Sequence, residues 1–136
     1  MDFSFIKLPR GVEMRKPYPG EIKYFQDNPK VSGMATEDGK VILNPYTKLT
    51  PEEYQSVAMN ESARLLIKKE DGLKPDFELT DQQVRFLDSS TYRNASEEDR
   101  KATIAARILS GDPSGGIPTS EQQVYVETLK ERLLAE

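Results

Sequence analysis

Glu61 is the residue whose placement invites chemistry. It lies within residues 39–69, GKVILNPYTKLTPEEYQSVAMNESARLLIKK, which read as a strand, a tight loop and the longest helix. On a wheel of ~100° per residue, Tyr54, Val57, Ala58, Ser62 and Leu65 share one side, and Glu61 falls inside that arc. A carboxyl group withdrawn from water must find a partner or keep its proton, and a proton-keeping carboxyl is one half of acid–base catalysis. The chain lacks the usual other half, because it contains no histidine and no cysteine. Ser–His and Cys–His nucleophile pairs are excluded, as are zinc sites built on imidazole or thiolate. Glu61 is therefore expected to be hydrogen bonded or ion paired, with Arg64 at i+3, Lys68 at i+7 or Arg107 on a later helix as the available cations. No catalytic, metal-binding or cofactor-binding residue is assigned, no cofactor is expected, and the chain reads as a protein that is not an enzyme.

Two other clusters carry groups that bind ligands elsewhere. Gly111-Asp112-Pro113-Ser114-Gly115-Gly116 has the glycines and serine of a phosphate cradle but no following lysine, so it reads as a loop. Glu97, Glu98 and Asp99 are oxygen donors of the kind hard cations take. Three consecutive helical positions point apart, and acids in a first turn compensate the helix dipole, which is the better reading.

The elements that position these groups are announced by their ends. Thr50, Pro51 and Glu53 form an N-cap, a first-turn proline and a capping box, opening a helix over Pro51–Lys69. Thr80 with Gln83, Ser96 with its following acids, and Thr119 with Gln122 open three more. Val84 and Leu87, then Ala105, Ile108 and Leu109, then Val126, Leu129 and Leu133 are their expected inner faces. A short helix is expected over Pro19–Asp27, ended by Asn28-Pro29. Asp38-Gly39 joins two short runs, residues 31–35 and Lys40–Leu43, as a hairpin. The fold class is α+β, mostly α, with a small antiparallel β-hairpin packed on a helical core.

Composition sets the remaining bounds. A 136-residue chain with 36% hydrophobic content and a mean hydropathy of −0.67 makes one domain with a modest core. The 19 basic residues are scattered among 23 acidic ones, so no nucleic-acid footprint is expected. No apolar run approaches the ~20 residues of a membrane span, and the first residues do not read as a signal peptide, so no membrane partner is expected. Residues 1–17 read as an extended N-terminal arm, with some strand-like alternation at Phe3 and Phe5, ahead of a domain over residues 18–136. Phe3, Phe5, Ile6, Leu8 and Arg10 are its interaction candidates. The arm either packs across its own domain or grips a neighbour.

Two resemblances follow from these residues. The strand, the Asn44-Pro45 turn, and a capped helix carrying Asn60-Glu61 with Arg64 after them resemble the active-site segment of zincin-type metallopeptidases. In that family two histidines bind zinc and the glutamate activates water. Here Asn60 and Arg64 stand where the histidines would be, so only Glu61 matches and neither metal nor peptidase activity carries over. The second resemblance rests on Leu8-Pro9-Arg10-Gly11, Val41-Ile42-Leu43-Asn44-Pro45-Tyr46, Asn60-Glu61-Ser62-Ala63-Arg64 and Arg107-Ile108-Leu109-Ser110-Gly111-Asp112-Pro113. In these segments the chain resembles small proteins of tailed, especially short-tailed, bacteriophages. That resemblance implies a non-enzymatic protein acting by protein–protein binding as a minor virion component: capsid, tail-associated or internal. Its partners would be other virion proteins, with a homo-oligomer also open, and its location the virion or the host cytoplasm. The alternatives are an early protein that inhibits or redirects a host enzyme, and a metal-free zincin-like remnant.

Overall fold

The computed structural model describes residues 2–135. Helices α1 (Pro19–Asp27), α2 (Pro51–Lys69), α3 (Asp81–Asp88), α4 (Glu97–Leu109) and α5 (Ser120–Leu134) accompany strands β1 (Glu13–Met14), β2 (Gly33–Ala35) and β3 (Lys40–Leu43). The chain is thus α+β and mostly helical. Capping chemistry sets the helix starts. Glu53 N donates to Thr50 Oγ1 at 3.2 Å, while Thr50 N donates to Glu53 Oε1 at 3.1 Å. Thr80 with Gln83 and Thr119 with Gln122 repeat this reciprocal pair, and Ser96 Oγ accepts from Asp99 N.

The sheet is larger than the expected hairpin. β2 and β3 pair antiparallel across the Asp38-Gly39 turn, where Gly39 has a φ of +77°. β1 then pairs parallel with β3 on its other side, giving the order β1-β3-β2. The strand character expected around Phe3 and Phe5 does not occur. Pairing comes only after the turn at Pro9-Arg10-Gly11, where Val12 N donates to the Pro9 carbonyl and Gly11 has a φ of +86°. Two residues of strand are too few to carry an alternating pattern.

The two faces of β3 bury different things. Val41 and Leu43 join the main core, while Ile42 and Phe25 are fully buried outside it. The main core is built on α2 through Tyr54, Ala58, Leu66 and Ile67, with Ala105 from α4 and Leu129 and Leu133 from α5. Asn44 holds the turn between β3 and α2: its side chain accepts from Tyr46 N and donates to the Val31 carbonyl. The Tyr54 hydroxyl donates to the Asn44 carbonyl at 2.8 Å and touches that of Thr47.

The arm lies on its own domain. Phe3, Ile6 and Leu8 pack against the main core, and the Phe3 ring meets Tyr54 edge-on at 4.8 Å. Lys7 exchanges two backbone hydrogen bonds with the Gln55 amide.

Elsewhere, α3 and α5 meet at a fully buried pair, Gln83 and Gln122. Each Nε2 donates to the other's Oε1, at 2.9 and 2.8 Å. The second proton of each goes to a carbonyl, Gly115 for Gln83 and Glu78 for Gln122. Both oxygens also cap their own helix, so every polar atom of the pair is used.

Candidate functional site

Helix α2 runs close along β2 because Gly33 has no side chain. A Cβ built there would lie 2.8 Å from Val57 Cγ1 and 3.1 Å from Leu43 Cδ2. One turn after Val57, Glu61 comes beside Ala35. An open groove of about 1130 Å³ follows from this arrangement, with Gly33, Ala35, Glu61, Arg64 and Tyr92 among its lining residues.

β2 is an edge strand, and its hydrogen bonds show which groups face the groove. Ser32 O accepts from Asn44 N, and Thr36 N donates to Lys40 O. Met34 is aligned with Ile42 between those two bonds. Antiparallel pairing alternates, so Gly33 and Ala35 turn their N–H and C=O groups away from β3. Outside the β2–β3 ladder, no hydrogen bond between those groups and another backbone group occurs among the described residues.

Glu61 is half-buried, and burial pushes its carboxyl group above the usual carboxylate range. The Arg64 charge, the Ala35 backbone amide and the Arg107 charge oppose that shift without cancelling it. Among the described residues no ion pair reaches Glu61. The expected pairing partners are otherwise engaged or turned to solvent. Arg64 Nη2 donates to Thr103 Oγ1 at 2.7 Å and to Tyr92 Oη at 3.0 Å, with its guanidinium 5.0 Å from the Tyr92 ring centre. Arg107 Nη1 donates to Asp112 at 2.7 Å, and Lys68 is exposed. Arg64 is drawn away by neutral oxygens on α4 and the preceding loop, which spacing along α2 does not reveal.

The other sequence candidates separate in space. Of the arm residues, Phe3, Ile6 and Leu8 are spent on the core, Phe5 is exposed, and the Arg10 carbonyl accepts from Arg132 Nη2 at 2.9 Å. The 111–116 loop closes on itself: Asp112 accepts from Ser114 N and Oγ as well as from Arg107. Among the described residues no group of three His, Cys, Asp or Glu side chains is placed to hold a metal ion. No described helix is long and apolar enough to cross a membrane.

Gly33, Ala35, Tyr92 and Thr103 were not singled out in the sequence. An isolated glycine in a strand signals close backbone approach, so Gly33 was findable. Nothing local marks Tyr92 or Thr103, whose roles exist only through Arg64. No family model, no curated protein and no solved structure matches the chain.

Proposed function

We propose that the chain is a non-enzymatic protein of a tailed bacteriophage that works by binding another protein, as a minor component of the virion. The binding part rests on one observation: an edge strand with outward backbone groups lines a groove of about 1130 Å³. Unpaired strand edges and concave surfaces are where proteins take partners. The phage part rests on the four segments quoted above. Glu61 supports binding over catalysis, because Arg64, the cation three residues on, is held by the Tyr92 and Thr103 hydroxyls and not by the carboxylate. A base without a nucleophile or second acid arranged beside it completes no reaction scheme.

Mass spectrometry of purified particles tests this reading. The chain should be present at a fixed ratio to the major capsid protein after washing in high salt. Its absence from particles, with recovery bound to a host enzyme early in infection, would replace the virion role by that of a host-directed binder. Peptide cleavage by the pure protein, lost in Glu61→Gln at unchanged stability, would overturn the non-enzymatic reading.

A further inference from the structure

We propose that β2 takes an added strand from another protein, an extended segment bearing a lysine or arginine whose side chain pairs with Glu61. The inference rests on the protein-binding reading above and names what the groove receives. Gly33 and Ala35 offer donors and acceptors at alternate positions along an edge, a spacing matched by an extended backbone. The groove runs past this edge: Gly33, Met34 and Ala35 line it from β2, and Glu61 and Leu65 from α2.

Charge selects the segment. Glu37 comes two residues after β2 and Glu61 stands beside Ala35, and neither has an ion partner among the described residues. Two of the cations that line the groove are already occupied. Lys40 is paired with Glu13, and Arg64 is held by two hydroxyls and an aromatic face. Lys68 and Lys69 also line it, but from the exposed last turn of α2, about two turns beyond Glu61. A basic side chain on the incoming strand supplies what the Glu61 carboxylate lacks. In the free chain that carboxylate lies by the Ala35 amide, where a strand carbonyl would sit, so docking moves it from the amide to the new cation.

A library of random linear peptides, selected against the full chain, provides the probe. Recovered binders should contain a basic residue. N-methylation at alternate positions should weaken binding about tenfold or more, while the intervening positions tolerate it. Ala35→Pro should abolish binding, since proline removes the outward N–H and is tolerated on a strand edge. Replacing the peptide's basic residue by norleucine should cost several-fold in affinity for the wild type and little for Glu61→Gln. Failure to recover any binder would overturn strand docking. So would binders insensitive to N-methylation, a test that needs no folded variant. A chain found in particles whose Ala35→Pro variant incorporates equally well would keep the protein-binding function while removing this site.

Discussion

Glu61 carries a charge that the fold does not reward. Its carboxyl group is pushed upward by burial, so the folded chain holds its proton to higher pH than the unfolded chain does. Protonation then favours the folded state, and stability contributed here falls as pH rises from the unfolded value, ~4.3, through the folded one. Urea unfolding of wild type and Glu61→Gln across that window should show the wild type losing stability relative to the variant as pH rises. Glu61→Leu should be at least as stable as wild type at pH 7, because apolar volume removes a half-buried charge that has no ion partner, without opening a cavity. Equal pH profiles for wild type and Glu61→Gln would mean that the carboxylate is better solvated than its position implies. Tyr54 makes a contrasting case: Tyr54→Phe strands the Asn44 carbonyl and should cost ~1–3 kcal/mol by chemical denaturation.

At the scale of the element, closeness between β2 and α2 depends on one missing side chain. Gly33→Ala brings a Cβ within 2.8 Å of Val57 Cγ1 and should cost ~1–3 kcal/mol; Val57→Ala in the same chain should recover part of it. Gly39→Val tests the hairpin differently, since nothing crowds that position but its φ is +77°. The expected loss is ~1 kcal/mol or more, read as a lower melting temperature. These elements also show what a sequence reveals. The helix starts over Pro51–Lys69 and at Thr80, Ser96 and Thr119 were legible because caps are local chemistry, decided within four residues. β1 was illegible because its identity comes from β3, nearly thirty residues away in the chain. Glu61 was legible as odd, but its lack of an ion partner was not, since Thr103 and Tyr92 reach Arg64 from other elements.

For the whole molecule, the first segment decides how modest the core is. Phe3, Ile6 and Leu8 pack onto the cluster built on α2, and Arg132 ties the Arg10 carbonyl to Glu70. Deleting residues 1–8 should lower stability by several kcal/mol, at roughly 1.5–3 kcal/mol for each large apolar side chain fully withdrawn from water and less for partly buried ones. The readout is the midpoint of urea unfolding, with circular dichroism reporting whether the helices persist. A truncated chain as stable as the full one would return the arm to the role of a gripping segment. The polar composition describes a chain with little core to spare, which recruits its own leading residues to complete it.

The reciprocal amides of Gln83 and Gln122 carry a dynamic consequence. Each oxygen caps its own helix while accepting from the other residue. Fraying the first turn of α3 therefore strips a bond from the first turn of α5, and the reverse. Two helix ends far apart in sequence become one opening unit. The amide protons of Val84 and Gln123, which close those first turns onto the Thr80 and Thr119 carbonyls, should exchange with deuterium at a common rate, and Gln83→Ala should accelerate both.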